Sequence, residues 1–368
     1  MRPVWAEVDL NAIRSNVRAI KQRTKAEYLA VVKANAYGHG DVEVSKAALG
    51  AGATWLGVIL VAEGRRLREA GIDAPILALH EPDPSDAADA VALSLTPCVF
   101  TETGIAALDE AAERVRTRVP VHLKIDTGLN RLGIPVARID EAVAALAKAS
   151  HLDVQGVFSH FAFADQPDHP FIDTQIARFH DALDALGRHG IEPPIRHLAN
   201  SAATLTRPET HFDLVRVGIA TYGLAPGPRL SDAMTYAPAM SLKARVAMVK
   251  RIRAGEGVSY GLRFVAERDT TIASIPLGYA DGWTRHAGGT ATVLIGGKRC
   301  PAVGTVTMDS FMVDVGDDAV DVGDEAVLFG VQGNERVGAE EIADAMGTIN
   351  YEVVTQVSSR VPREFIGG

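Results

Sequence analysis

Tyr28-Leu29-Ala30-Val31-Val32-Lys33-Ala34-Asn35-Ala36-Tyr37-Gly38-His39-Gly40 is the stretch on which the fold turns. An apolar run of strand length ends in a lysine and passes into a polar loop. Such a strand opens either a doubly wound sheet or a closed (β/α)8 barrel. A doubly wound sheet of the dinucleotide-binding kind wants G-x-G-x-x-G after its first strand, and residues 34–40 do not supply it. The barrel needs no such fingerprint.

Working outward, further strands are expected at residues 54–60, 74–80, 95–100, 119–126, 154–160, 195–199 and 213–217. Between them lie Ala-, Leu- and Arg-rich segments of helical pattern, such as residues 141–149. Before the first strand, Ile13, Val17 and Ile20 fall at helical spacing behind Asp9, a suitable N-cap. Eight strand–helix units suit a barrel, which typically needs about 250 residues. After about Tyr236 the texture changes to β-rich segments at residues 241–249, 271–276, 290–295, 310–315 and 325–329. Turns rich in glycine punctuate them, and a helical pattern returns only near residues 339–345. The expected division is a barrel domain over residues 1–235 and a mostly antiparallel β domain over residues 236–368, with the boundary in residues 225–238.

The 368 residues suffice for one large and one smaller domain, and 47% hydrophobic content supports a sizeable core. A formal charge of −9 offers no general attraction to nucleic acid or an anionic membrane. Cys98 and Cys300 are too few for a disulfide framework or a thiolate metal site, and no metal is expected. No apolar run approaches the ~18 residues of a membrane helix, and the N-terminal residues lack a signal-peptide core. The expected setting is the cytoplasm.

Chemistry in a barrel gathers at the C-terminal strand ends. Read in order, these ends present Lys33, then Lys124 with Asp126 and Arg131 beyond it, then His160, Asn200-Ser201 and Arg216. Any one of them could be a polar residue reaching solvent; together they argue for a site. The apolar approach to Lys33 would partly desolvate its ammonium and lower its pKa, as a covalent cofactor attachment requires. The small residues of Asn200-Ser201-Ala202-Ala203 and Val217-Gly218-Ile219-Ala220 leave backbone N–H groups accessible after strands seven and eight. Barrels frequently hold a phosphate there. A phosphate site facing a desolvated lysine is the arrangement that pyridoxal 5'-phosphate needs.

The motif Val31-Val32-Lys33-Ala34-Asn35-Ala36-Tyr37-Gly38-His39-Gly40 resembles the cofactor-attachment signature of alanine racemases. The likeness continues through Lys124-Ile125-Asp126-Thr127-Gly128, Asn130-Arg131-Leu132-Gly133, Ser159-His160-Phe161, Ala199-Asn200-Ser201 and Val215-Arg216-Val217-Gly218-Ile219. In the second half it includes Ser259-Tyr260-Gly261, Gly278-Tyr279-Ala280-Asp281-Gly282, Thr307-Met308-Asp309 and Asn350-Tyr351-Glu352. The resemblance implies a pyridoxal-phosphate-dependent homodimer that interconverts L- and D-alanine and supplies D-alanine for a bacterial cell wall. It implies that Lys33 carries the cofactor and serves as one base, with Tyr260 of a second subunit as the opposite base. Tyr37, Ser201, Gly218, Ile219 and Tyr351 would hold the phosphate, with Asn200 beside them. His160 would face the cofactor ring and Arg216 its nitrogen. Arg131 and the Met308 backbone would meet the substrate carboxylate, and Tyr279 and Tyr351 would narrow the entrance. Lys124 would be either carbamylated, as in many members of the family, or an ordinary lysine balanced by Asp126 or a bound anion.

Racemisation removes an α-proton from one face and returns it from the other, so two bases must flank one carbon. Arginine keeps its own proton, so Arg216 would leave the ring nitrogen unprotonated. A related barrel decarboxylase would place an acid at that position instead. Three departures bear on selectivity: Thr305 where the family often has arginine, Thr307 before Met308, and residues 355–360. The alternatives are a racemase preferring serine or lysine, and a barrel that binds the cofactor without catalysis. For Thr305, the expectation is a wider substrate approach and tolerance of serine.

Overall fold

The computed structural model describes residues 3–368, which form two compact units. One holds residues 12–36 and 41–237; the other holds residues 3–11, 37–40 and 238–368.

The first unit is a parallel barrel. Its strands are Glu27–Val31, Trp55–Val58, Ile76–Ala78, Thr96–Val99, Val119–Asp126, Leu152–Phe158, Ile195–His197 and Leu214–Val217. Each pairs with the next, and Leu214–Val217 lies beside Glu27–Val31 with Leu214 opposite Glu27. The ring closes where Asp213 N donates to Arg196 O at 3.0 Å and Arg216 N to Ala199 O at 3.0 Å. Leu29, Leu56, Leu77, Val121, Val157 and Val215 are fully buried. Strands covered on both faces read as continuous apolar runs, which is why the sequence pattern found them. The fifth strand has the expected bounds. The sixth begins two residues earlier than expected because Leu152 pairs with Val119, and this leaves Ser159 and His160 beyond its end.

The second unit is built on a mostly antiparallel ten-stranded sheet. Its least expected member is Val4–Asp9, which runs antiparallel to Met240–Arg245 and parallel to Arg363–Ile366. Val4, Ala6 and Val8 are buried while their neighbours are half-buried, a period-2 pattern visible in the sequence. Asp9 Oδ1 accepts the Asn11 N–H at 2.8 Å at the start of the helix Leu10–Lys21. The expected strand at residues 241–249 is two strands, Met240–Arg245 and Met248–Ile252. The break falls where the backbone changes partner: Val246 N donates to Asp324 O and Ala247 N to Ser274 O. Lys298–Val303 and Arg363–Ile366 are further strands that sequence pattern missed. No helix among the described residues is long and apolar enough to cross a membrane.

Candidate functional site

At the C-terminal end of the barrel, Lys33 follows its strand by two residues and opens an unusual turn. Ala34, Asn35, Ala36 and Tyr37 have φ of 52°, 53°, 53° and 52°, a full left-handed turn without glycine. Such a conformation costs roughly 1–2 kcal/mol per residue and persists only where the surroundings enforce it. Two side chains pin this turn. Glu63 Oε1 accepts the Ala34 N–H at 2.7 Å, and Asn35 Oδ1 accepts the Asp41 N–H at 3.1 Å.

Around Lys33 the barrel gathers positive charge. Burial lowers the Lys33 pKa, the charge of Arg131 lowers it further, and Glu63 opposes both. Lys124 is also lowered, first by burial and then by Arg216, Arg131 and Lys33, with Cys98 acting in the opposite sense. Its Nζ donates to Leu79 O at 2.9 Å. Asp126 does not balance this ammonium. Its Oδ1 accepts the N–H groups of Gly128 and Asn130 at 2.8 and 3.1 Å, shaping the loop that presents Arg131. Gly133 closes that loop with φ 132°, and a Cβ there would sit 2.7 Å from Asp126 N.

Arg216 is buried, and its guanidinium donates to the carbonyls of His197, Ser159 and Leu198 at 2.9, 2.6 and 3.2 Å. It also reaches His197 Nδ1 at 3.1 Å and His160 Nδ1 at 3.4 Å. Desolvation pulls it down to about 9, so it still carries its proton at neutral pH. His160 lies well below the ordinary histidine value, first through burial and then through the four surrounding cations.

The ends of strands seven and eight are tied together. Asn200 N-caps the helix Ser201–Thr206 through its Oδ1, 3.1 Å from Ala203 N, the role its short polar side chain suits. Ser201 Oγ, buried, accepts the Gly218 N–H at 2.9 Å, and Ile219 begins the next 3-10 turn.

The remaining expected residues belong to the second unit. Tyr37 and Tyr351 face each other with ring centroids 6.2 Å apart, and burial raises the Tyr37 phenol. Tyr260 is 74% exposed at the tip of the ribbon formed by Gly257–Val258 and Phe264–Val265. Ile252, Val258, Ala266, Ile272 and Val303 form the apolar cluster at its base. Thr305 is buried and donates from Oγ1 to Tyr260 O at 2.8 Å, while Ser259 Oγ donates to Thr305 O at 2.6 Å. Met308 O accepts the Ala280 N–H at 3.1 Å, beside Tyr279 N bonded to Thr307 O at 3.0 Å. Tyr279 and Met308 are exposed.

Sequence reasoning missed four contributors in the barrel. Glu63 carried no signal beyond an acidic third residue in a helix. Gln175 is fully buried and bonds Ala162 N and His160 O, and its helical position alone concealed that. His122 and His197 form a buried pair, Nδ1 to Nε2 at 2.8 Å, behind Arg216.

A parallel barrel with a cationic cluster at its strand ends, followed by a β-sheet unit, defines a class of two-unit barrel enzymes. Residues 8–226 match the family described as "Alanine racemase, N-terminal domain", and residues 239–365 match "Alanine racemase, C-terminal domain". The chain belongs to the alanine racemase family. It is 48% identical over 370 residues to an alanine racemase of Symbiobacterium thermophilum, covering 100% of this chain and 98% of that one. It is 48% identical to that of Thermobifida fusca, covering 98% of each. Among solved structures, the alanine racemase of D-cycloserine-producing Streptomyces lavendulae superposes with a TM-score of 0.95 at 43% identity, covering 100% of this chain and 98% of that one. The Bacillus anthracis enzyme with bound L-Ala-P matches with a TM-score of 0.95 at 41% identity, covering 100% and 95%.

Proposed function

We propose that this protein interconverts L- and D-alanine with pyridoxal 5'-phosphate, working as a cytoplasmic homodimer that supplies D-alanine for a bacterial cell wall. The observation that carries the reading is the position of Lys33 just beyond a strand end in a cluster with Arg131, Lys124 and Arg216, where burial disfavours its charged form. A half-buried site with this excess of positive donors suits an anionic ligand, and a lysine that readily loses its proton suits covalent attachment to an aldehyde. The donor set therefore fits the cofactor. Bound there, pyridoxal phosphate supplies the carbonyl to which an amine attaches and a ring that withdraws charge from the α-carbon.

The chain's own groups do the rest. The hydroxyls of Tyr37, Tyr351 and Ser201 and the amides of Gly218 and Ile219 would hold the phosphate, the Gly218 N–H turning to it from Ser201 Oγ, with Asn200 keeping Ser201 at its helix start. His160 would lie against the ring. Arg216, locked by three carbonyls, holds its proton and leaves the ring nitrogen without one. Arg131 and the backbone of Met308 orient the substrate carboxylate, Lys124 in carbamylated form steadies Arg131, and Tyr279 with Tyr351 narrows the approach. Lys33 Nζ takes or returns the α-proton on one face. The phenol of Tyr260 from a second subunit does so on the other. Incubating the protein and pyridoxal phosphate with L-alanine, and resolving the products by chiral chromatography, should give both enantiomers; no D-alanine would overturn the proposal. A panel with L-serine and L-lysine reads substrate preference in the same assay.

A further inference from the structure

Glu63 occupies the third position of the helix Val61–Glu69, where a carboxylate commonly folds back onto the amide before the helix. It does so here, with Oε2 accepting Leu60 N at 3.1 Å, and Oε2 also takes Ile59 N at 2.8 Å. Capping does not account for the other oxygen. Oε1 leaves the helix altogether and accepts Ala34 N at 2.7 Å, the first amide after Lys33. Glu63 is buried, so its carboxylate accepts these three part-buried bonds with little competition from water, and bonds to a charged acceptor are the stronger ones. One carboxylate thus links the end of the second strand to the start of the left-handed turn.

We propose that Glu63 is a positioning residue for Lys33: its carboxylate clamps the amide after the lysine and sets a negative charge against the cationic cluster. The inference rests on the reading of Lys33 as the cofactor-bearing base. Such a base must accept a proton and hold it until it is returned, and burial with unopposed Arg131 would make that proton too weakly held. The charge of Glu63 raises the Lys33 pKa, acting against burial and Arg131. Capping alone would be served equally by glutamine, which is common at this helix position.

The test uses the cofactor-free protein and reads the lysine directly. Competitive labelling of amines with acetic anhydride across pH, followed by peptide mass spectrometry, gives the midpoint at which Lys33 becomes reactive. In Glu63→Gln the midpoint should fall by about 1 pH unit, the scale expected when a nearby opposite charge is removed. Hydrogen exchange at the Ala34 amide should quicken at least ~10-fold, because the amide NH2 cannot accept where an oxygen did. Glu63→Asp, which restores the charge on a shorter arm, should recover the midpoint. It also serves as the folded variant if glutamine proves disruptive. An unchanged Lys33 midpoint in folded Glu63→Gln, or a midpoint in Glu63→Asp shifted as far as in Glu63→Gln, would overturn the proposal. If the midpoint moves as expected but the wild type neither binds pyridoxal phosphate nor racemises alanine, the functional reading fails and the role of Glu63 in tuning Lys33 stands.

Discussion

Lys33 and Thr305 are the side chains whose surroundings say most about their consequences. With pyridoxal phosphate added, borohydride reduction and peptide mapping should place the pyridoxyl group on Lys33. Lys33→Ala should lose that label and at least ~10³-fold in racemisation, since attachment and one proton transfer go together. Thr305 was expected to open the substrate approach because it lacks the reach of a guanidinium. It is buried, and its hydroxyl is spent on the carbonyl of Tyr260. Thr305→Val keeps the shape and removes that part-buried bond, at a cost of about 0.5–1.5 kcal/mol. Racemisation should slow with the KM for alanine little changed, because the loop presenting Tyr260 loosens. A rise in KM alone, with kcat intact, would show that Thr305 acts on binding and not on Tyr260.

Among the elements, the left-handed turn is the one most exposed to substitution. Asn35 is the residue type that tolerates this conformation best after glycine, and its Oδ1 also holds Asp41 N. Asn35→Ala should lower the denaturation free energy by about 1–2 kcal/mol, combining the lost bond with the poorer fit to positive φ. Equal urea midpoints would show that the turn is held elsewhere. The turn also marks the limit of what could be read from residues alone. Lys33 stood out because an apolar run stops on it, and Asn200 because it follows a strand and precedes small residues. The path between Lys33 and Tyr37 could not be read that way, since alanine gives no hint of positive φ and the constraint comes from Glu63, remote in sequence. Val119–Asp126 was legible to the residue because both faces are covered. Val4–Asp9 carried its own alternation, yet its partners, Met240–Arg245 and Arg363–Ile366, lie at the far end of the chain, so nothing local marked it as part of a sheet.

For the molecule as a whole, the barrel holds three histidines whose charged forms are disfavoured by desolvation. Desolvation pushes His122 down to about 3, and His160 and His197 also lie well below the ordinary value. In the unfolded chain each would titrate near 6.5. Between that value and the depressed ones the unfolded chain binds more protons, so stability falls as pH drops below about 6.5. The urea midpoint should be lower at pH 5.5 than at pH 7.5, before most carboxylates titrate; equal midpoints would mean these histidines are not held neutral. Assembly has its own test. Mixing inactive Lys33→Ala and Tyr260→Phe proteins under subunit exchange should restore part of the activity, and none should return if each subunit completes its own site.

Val4–Asp9 also has a history to live through before it has a place. On a ribosome it emerges ahead of the barrel, but its neighbours in the sheet are not made until Met240–Arg245 and then Arg363–Ile366 have been translated. The residues of the barrel lie between them in the chain and can close while this strand still waits unpaired. An unpaired apolar strand is a template for the wrong partner, so the span between the birth of the first strand and the release of the last is when nascent copies of this protein are most open to one another.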